Sequence, residues 1–385
     1  MLLIFLACTT GKKDYDSTHV DSAQEDSATI DEIQDRPESM LGFFLDTEKY
    51  PMAVCNDGST PILYHRPGIE EGKDKWIIWF EGGESCVDQE SCTERWQNKR
   101  NLMSTCSGVD CEDFAAPQEI NKDGILSSEA DNNPHFHTWN HVVFNYCSSD
   151  FWLGQRNTSI TFGSVELFFR GHFITQSMLS TLLDEPLMNG YSSLSNATDI
   201  ILSGSSAGGV GMRSHLDYFK DRLSFANLNG LSDASVVPLI SEEVYSVHNA
   251  RSQQQMQVWE AFIDQSCKAH QPDDIHMCIK GSFLVQNNEL QTPLFFHQDQ
   301  ADSYAYRANS ISTGGEITEE IKESVHEATR ELFSLHTQAA YIPRKGFHVI
   351  LATERFHDPD MLDGLSFSDA FWAWYQGARE LHIAP

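Results

Sequence analysis

The chain has few basic residues and, after its first eight residues, no long hydrophobic run. Only 26 Lys and Arg stand against 56 Asp and Glu, so the formal net charge is −30 at pH 7. Such a field repels phosphate backbones, and we therefore exclude nucleic acid as a partner. No later segment reaches the roughly 18 consecutive apolar residues that a membrane-spanning helix needs, so we expect no such helix.

Cysteine patterns typical of metal sites are also missing. The chain has nine cysteines but no CxxC spacing, which favours disulfides over a metal site, the alternative interpretation. Three close pairs suit small local loops and leave one long-range bridge, so the expected disulfides are Cys86–Cys92, Cys106–Cys111, Cys267–Cys278 and Cys55–Cys147. Disulfides persist outside the cytoplasm, so we expect the domain to be exported.

The beginning of the chain is expected to lie outside the folded domain. Residues 1–7, followed by Cys8, have the pattern of a bacterial lipoprotein signal, although the apolar stretch is short and no Lys or Arg precedes it. Residues 8–40 are rich in Asp, Glu, Ser and Thr and bury too little apolar surface to offset their ordering entropy. We therefore predict a lipid anchor at Cys8, a disordered tether over 8–40 and a folded domain over 41–385.

Short apolar segments alternate with helical stretches through that domain. Strands are predicted over residues 75–83, 140–147, 199–206, 234–241, 292–298 and 346–353. Helices are predicted within 161–185, directly after Ser206 and over 316–336. This alternation predicts a single α/β domain with a mostly parallel central sheet and helices on both faces.

A strand-to-helix junction in the middle of the chain carries the strongest chemical motif. Residues 204–208, Gly-Ser-Ser-Ala-Gly, fit the pattern G-x-S-x-G of a nucleophile on a tight turn. Small neighbours suit such a turn because other backbone segments approach it closely. We interpret Ser206 as a nucleophile and the backbone N–H of Ala207 as an oxyanion donor at the start of the helix. A structural glycine-rich turn is the alternative.

A second glycine-rich segment lies upstream at the end of a predicted strand. Residues 79–86, WFEGGESC, place a Gly-Gly pair there. The backbone N–H groups of Gly83 and Glu84 are therefore candidate oxyanion donors. An ordinary turn is the alternative interpretation.

Four sequence blocks, in their order along the chain, resemble the pectin acetylesterase and Notum carboxylesterase family. They cover residues 54–60, 79–86, 125–152 and 203–211, and the similarity extends from about residue 50 to near 360. The resemblance implies an α/β-hydrolase-like fold, a Ser–His–Asp triad and hydrolysis of carboxylic esters. Neither a metal nor an organic cofactor is expected.

The same resemblance assigns the triad to Ser206, Asp302 and His357. Asp302 follows the apolar segment PLFF, with Asp299 as the near alternative. His357 is preferred to His348 because the family's histidine follows a strand and a short loop, and residues around His348 are interpreted as that strand. The order Ser, Asp, His agrees with α/β-hydrolases.

The resemblance also implies two disulfides, Cys55–Cys147 and Cys86–Cys92, and it shows two departures. Glu84 stands where the family often has an aromatic residue, and a carboxylate facing the pocket would disfavour a long apolar tail and anionic pectin alike. The segment before His357, TERF, lacks the cysteine that the family usually has near its histidine.

We therefore predict a monomeric, extracytoplasmic serine esterase that removes acetyl groups from a polysaccharide. His357 would accept the proton of Ser206, and Asp302 would orient the imidazole. A hydrolase for longer acyl chains is one alternative. Another is a catalytically inactive, glycan-binding surface lipoprotein. The expected partners are the acyl ester substrate and, through Cys8, a membrane.

Overall fold

The computed structural model describes residues 36–106, 115–287, 289, 292–336, 339–378 and 380–385. The strands of this part are β1 (Met40–Phe44), β2 (Ile62–Arg66), β3 (Lys75–Phe80), β4 (Glu119–Ile120), β5 (Asn140–Phe144), β6 (Ile160–Phe162), β7 (Val165–Leu167), β8 (Asp199–Ser205), β9 (Asn227–Asp233), β10 (Leu294–His297), β11 (Ala340–Ile342) and β12 (Leu381–Ile383). The α-helices are α1 (Gln89–Asn98), α2 (Gly171–Asp184), α3 (Ala207–Ser214), α4 (Leu216–Arg222), α5 (Glu242–Trp259), α6 (Gln265–His270), α7 (Gly281–Gln286), α8 (Ser303–Asn309), α9 (Glu319–His336) and α10 (Phe367–Tyr375).

Ten strands join in one sheet in the order β12-β11-β10-β9-β8-β3-β5-β2-β1-β4. From β12 through β5 all neighbours are parallel, whereas β2, β1 and β4 pair antiparallel at one edge. Strands β6 and β7 form a separate hairpin. The prediction of a mostly parallel central sheet is confirmed. In such sheets the carboxyl ends of neighbouring strands meet at one edge, where ligands bind.

Both faces of the sheet are buried under helices. Successive side chains of a strand point to opposite faces. In β3, Trp76, Ile78 and Phe80 therefore pack in one core with α2, α3, α4 and α9, while Ile77 and Trp79 pack in another with α10. Burial on both faces explains why the parallel strands are continuous apolar runs rather than alternating ones.

Four of the six predicted strands and all three predicted helices are present. The segments at 75–83, 140–147, 199–206 and 292–298 contain β3, β5, β8 and β10. The helices correspond to α2, α3 and α9.

The strand predicted over 234–241 is wrong because β9 ends at Asp233. Pro238 lies within the segment and has no N–H to donate to a neighbouring strand. The N–H of Val236 donates instead to the side chain of Gln298, at 3.2 Å. This irregular segment contributes to the cavity described below.

The strand predicted over 346–353 is also wrong, and the error has consequences for the site. Its backbone N–H groups donate to buried carboxylates rather than to a strand. Those of Gly346 and Ile350 donate to Asp299 and Asp233 at 3.0 and 3.2 Å. The sheet position is taken by β11, which ends earlier at Ile342. The apolar segment 346–353 is therefore a loop that hydrogen bonds to two buried carboxylates hold in place.

The folded domain begins before the predicted boundary at residue 41. The guanidinium of Arg36 donates to the carbonyl oxygens of His137 and Trp139, at 2.6 and 2.9 Å. Met40 is buried and starts β1. Cys8, the predicted signal segment and the predicted tether up to residue 35 lie outside the described residues. Across the described part of the chain, no helix combines the length and apolar character needed to cross a membrane.

Three predicted disulfides are confirmed: Cys55–Cys147, Cys86–Cys92 and Cys267–Cys278. Cys106 is also disulfide-bonded, and Cys111, its predicted partner, lies outside the described residues. The bridge from Cys55 to Cys147 spans 92 residues and ties the loop before β2 to the segment after β5. Closing a loop of that length restricts the unfolded chain strongly.

Candidate active site

Ser206 lies on a strained turn between β8 and α3. Its backbone has φ +55° and ψ −121°, an unfavourable conformation for a residue with a side chain. A Cβ at Gly208 would stand 2.0 Å from the carbonyl oxygen of Phe80, and one at Gly204 would stand 2.4 Å from that of Gly208. The small residues around Ser206 are therefore required by close backbone contacts.

The hydroxyl of Ser206 belongs to a chain of hydrogen bonds with His348 and Asp302. His348 Nε2 is 2.9 Å from Ser206 Oγ, and its Nδ1 is 2.9 and 3.0 Å from the two carboxylate oxygens of Asp302. Asp302 is fully buried and also accepts from the Gln298 amide at 2.9 Å and the Tyr304 N–H at 2.7 Å. The arrangement has the geometry of a nucleophile, a base and an orienting carboxylate.

The histidine in this arrangement is His348, so the prediction of His357 is corrected. His357 ends a short 3-10 turn, and its Nδ1 is 3.5 Å from the hydroxyl of Ser366 at the start of α10. The error follows from the misassigned strand over 346–353. The loop that brings a histidine to Ser206 follows β11, and His348 is the first histidine after that strand.

Asp299, the alternative acid, has a different position. Its carboxylate accepts from the backbone N–H groups of Lys345, Gly346 and Phe347, at 3.0, 3.0 and 3.3 Å. These residues directly precede His348. Asp299 therefore holds the loop in place, while Asp302 contacts the imidazole.

Asp233 is a further buried carboxylate that the sequence analysis did not identify. Its side chain accepts from the Ser205 hydroxyl at 2.7 Å and from the N–H groups of Ile350 and Leu351 at 3.2 and 3.1 Å. Its backbone carbonyl accepts the N–H of Ser206 at 2.8 Å. Asp233 therefore links the turn that holds Ser206 to the loop that holds His348. An acidic residue at the carboxyl end of a buried strand is the sequence feature that could have indicated it.

Two opposing effects act on the imidazole of His348. Burial by itself would lower its pKa. The hydrogen bond and charge of Asp302, together with the charge of Asp233, raise the pKa of His348 above its ordinary value. Each nearby carboxylate favours the protonated form.

Replacing Asp233 with asparagine tests its effect on His348. We expect kcat/KM to fall by roughly tenfold to a hundredfold, because losing a charged partner loosens both segments. The acid limb of the pH profile should move to lower pH, because one charge that raises the pKa of His348 is gone. A pH series of kcat/KM measures both effects. An unchanged acid limb would contradict the electrostatic part, and Asp369→Asn on α10 is the matched control.

The three predicted oxyanion donors, Gly83, Glu84 and Ala207, have backbone N–H groups without a protein acceptor in the described structure. Gly83 and Glu84 both have positive φ, +146° and +61°. A Cβ on the preceding Gly82 would stand 3.2 Å from Ser206 Cβ, so this loop approaches Ser206 closely. The site therefore offers unpaired donors next to Ser206.

The Glu84 side chain is not a free carboxylate in the cavity. Its Oε2 is 2.6 Å from the ammonium of Lys99. That hydrogen bond holds the pKa of Glu84 below its ordinary value. The Lys99 ammonium therefore offsets the negative charge that the sequence analysis expected Glu84 to present to an anionic substrate.

A cavity of about 510 Å³ opens beside Ser206 and Ala207. Its wall combines apolar side chains such as Val210 and Ile279 with basic ones on α3, α5 and α8. In the described part of the chain, no group of three or more His, Cys, Asp or Glu side chains is placed to hold a metal ion. With a volume of about 510 Å³, the cavity has room for far more than an acetyl group.

Comparison with known proteins gives consistent matches. The profile of the family described as Pectinacetylesterase matches residues 34–380. Palmitoleoyl-protein carboxylesterase NOTUM of Drosophila melanogaster is 28% identical over 338 residues, which cover 85% of this chain and 47% of that protein. Pectin acetylesterase 5 of Arabidopsis thaliana is 34% identical over 171 residues, 44% of this chain and 36% of that protein. The chain thus spans about half or less of the length of these two relatives.

A solved structure shares the fold. The Wnt deacylase Notum from Drosophila superposes with a TM-score of 0.75 at 26% sequence identity, covering 90% of this chain and 95% of that one. The match extends across the α/β-hydrolase-like sheet and its helices.

Proposed function

Because the chain belongs to the pectinacetylesterase family, we propose that it is a carboxylic ester hydrolase that uses Ser206, His348 and Asp302. The observation that carries this proposal is the continuous hydrogen-bonded chain from the Ser206 hydroxyl through His348 to a buried carboxylate. The curated relatives are named as carboxylesterases and pectin acetylesterases. Both names describe cleavage of an ester.

In this mechanism His348 accepts the proton of Ser206 as the serine oxygen attacks the ester carbonyl. It then gives that proton to the leaving alcohol, and a water molecule repeats the sequence on the acyl-enzyme. Asp302 holds the imidazole in the required tautomer and stabilises its charged form. The N–H groups of Gly83, Glu84 and Ala207 stabilise the oxyanion, and one such donor is typically worth roughly 3 kcal/mol.

We propose an acetyl ester on a polysaccharide as the substrate. The relatives named above differ in acyl group, palmitoleoyl in one and acetyl in the other. A long apolar chain in the cavity would contact Arg213, Lys280 and Gln255. Removing water from such groups without a polar partner is costly. These polar side chains are the feature of the cavity that favours a short acyl group, whereas its volume and the apolar lining by Val210, Val237 and Ile279 would also accommodate a longer one.

The disulfides support a location outside the cytoplasm, because they form and persist in oxidising compartments. The alternative of an inactive glycan-binding protein is disfavoured by the triad geometry. An inactive protein has no need to keep the Ser206–His348 contact at 2.9 Å.

The acyl-chain profile of the full chain tests the proposal. With p-nitrophenyl esters from acetate to decanoate, we expect the highest kcat/KM at acetate. Ser206→Ala should show only the background rate, and Ser334→Ala, on the exposed surface of α9, serves as the control for loss of a serine hydroxyl. A maximum at eight or more carbons would contradict the acetyl proposal. Equal rates for wild type and Ser206→Ala would contradict the esterase proposal itself.

A further inference from the structure

The ring of Tyr304 lies against the imidazole of His348. The two rings stack at an interplanar angle of 28°, with their centroids 5.2 Å apart. Tyr304 is half-buried and lines the cavity beside Ser206. The triad mechanism gives Tyr304 no role, yet its ring contacts the base, which becomes positively charged as the serine attacks.

The hydrogen bonds of His348 fix only part of the orientation of its ring. Nε2 is 2.9 Å from Ser206 Oγ, and Nδ1 is 2.9 and 3.0 Å from the carboxylate oxygens of Asp302. These bonds lie at the edge of the imidazole, so the ring can still tilt about the line that joins its two nitrogens. The χ2 torsion of histidine has a broad energy profile and resists that tilt only weakly. A second ring against the face of the imidazole restricts it.

Tyr304 is itself held in place by the acid of the triad. Its backbone N–H donates to Asp302 Oδ1 at 2.7 Å, and Asp302 is the N-cap residue of α8, the helix that carries Tyr304. The same carboxylate therefore contacts the base and fixes the start of the helix that places the aromatic ring on it. Acid, base and ring form one connected unit.

The charged groups around His348 act in both directions. Burial and the Arg307 guanidinium lower the pKa of His348, whereas Asp302 and Asp233 raise it, and the resulting pKa lies above its ordinary value. The face of an aromatic ring carries partial negative charge and attracts a cation within about 6 Å of the ring centroid. The Tyr304 ring therefore acts with the two carboxylates in favouring the imidazolium form.

The hydroxyl of Tyr304 does not titrate in the same range as His348. Burial and the charge of Glu84 raise the pKa of Tyr304 above its ordinary value of about 10, against the opposing charge of Arg307. The phenol is therefore neutral at the pH where His348 loses its proton. A change in the acid limb of the pH profile then reports the charge of His348 and not that of Tyr304.

We propose that Tyr304 is a positioning residue for the ester hydrolysis: its ring fixes the tilt of the His348 imidazole and stabilises the imidazolium that forms when Ser206 attacks. The proposal rests on the proposed function, because it assigns a partner to the base of that reaction. The proton still moves between Ser206 Oγ and His348 Nε2. A ring that served only as a wall of the cavity would change substrate binding and leave the charge of His348 unaltered.

Tyr304→Leu removes the ring and tests both parts of the proposal. Leucine keeps most of the apolar volume, so the burial of His348 changes little. On p-nitrophenyl acetate we expect kcat to fall about tenfold, with KM within about twofold of wild type. The acid limb of kcat/KM should move to lower pH by about 0.5, because a group that favours the imidazolium is gone. Initial rates over a pH series measure these effects.

The conservative variant Tyr304→Phe keeps the ring. It should restore the acid limb to its wild-type position and kcat to within about threefold of wild type. Tyr304→Met provides a second variant without a ring, with the same expectation as Tyr304→Leu, and circular dichroism verifies that each protein is folded. An acid limb that the ringless variants leave in place would overturn the proposal. So would a Tyr304→Phe protein that behaves like them.

Two variants of other residues serve as controls. Arg307→Gln removes a cation that lowers the pKa of His348, so its acid limb should move in the opposite direction, to higher pH. A shift to lower pH would contradict the electrostatic part of the proposal. Tyr245→Leu makes the same substitution on α5, where the tyrosine is 38% exposed, and should keep the wild-type kcat and acid limb.

The esterase proposal fails separately, when no ester is hydrolysed above the Ser206→Ala background. The titration of His348 then decides the role of Tyr304 without any activity. In protein labelled with carbon-13 at histidine Cε1, the NMR resonance that is missing from His348→Ala identifies His348. A pKa that is lower by about 0.5 in Tyr304→Leu and unchanged in Tyr304→Phe would support the proposal. Equal pKa values in wild type and both variants would contradict it.

Discussion

The His348→Ala variant is expected to lose about 10,000-fold or more in kcat/KM, while His357→Ala stays close to wild type. His348 Nε2 is 2.9 Å from the Ser206 hydroxyl, and removing the base of such a triad leaves only the catalysis provided by the oxyanion donors and by substrate binding. His357 contacts Ser366 instead. Initial rates on p-nitrophenyl acetate measure the difference.

The comparison needs folded proteins. Thermal unfolding of both variants, monitored by circular dichroism, controls for loss of structure. A large loss in His357→Ala with normal stability would contradict the assignment of the base to His348. So would substantial activity in His348→Ala.

The Asp302→Asn variant is expected to lose about 10,000-fold in kcat/KM, because asparagine no longer holds the imidazole in the tautomer that accepts the serine proton. The buried carboxylate contacts His348 Nδ1 through both oxygens. Asp299→Asn is the matched control, because Asp299 binds the loop N–H groups rather than the imidazole. Asp299→Asn should lower the free energy of unfolding by about 2 kcal/mol, and it should reduce kcat/KM much less than Asp302→Asn does.

The pH profile gives an independent readout of the same residue. The base must be neutral to accept a proton, so kcat/KM falls as the pH drops through the pKa of His348. Because that pKa is raised, the acid limb of wild type should lie at a higher pH than an unperturbed histidine would give. Asp302→Asn should move the residual activity's acid limb to lower pH, because the main group that raises the pKa is gone. An acid limb that stays in place would contradict the assignment of Asp302.

The position of Ser206 could be predicted because its signal is local. An apolar strand, a run of small residues and a helix follow one another within residues 199–214. Contacts among Gly204, Gly208 and the adjacent β3 require those small residues. Asp302 was assigned through the family resemblance, which places the acid several residues after the apolar strand β10, with Asp299 as the alternative. Short spacings indicated the local cysteine pairs, and Cys55–Cys147, which spans 92 residues, was the bridge that those pairs left over.

The position of His348 could not be predicted in the same way. The segment GFHVILAT has the composition of a strand, and strand formation depends on the partners that its N–H groups find. Here those partners are the carboxylates of Asp299 and Asp233, distant in sequence and on neighbouring parts of the fold. Only the tertiary structure shows that these carboxylates, rather than a neighbouring strand, accept the N–H groups of the segment. That choice decides which histidine reaches Ser206.

By itself, the sequence determined four of the strands, the turn that holds Ser206 and the local disulfides Cys86–Cys92 and Cys267–Cys278, since each depends on residues close together in the chain. The tertiary structure alone decided the base, the role of Asp233 and the charge of the cavity. Arg213, Arg251 and Lys280 belong to separate elements, and their charges act together only because α3, α5 and the segment before α7 meet around one cavity.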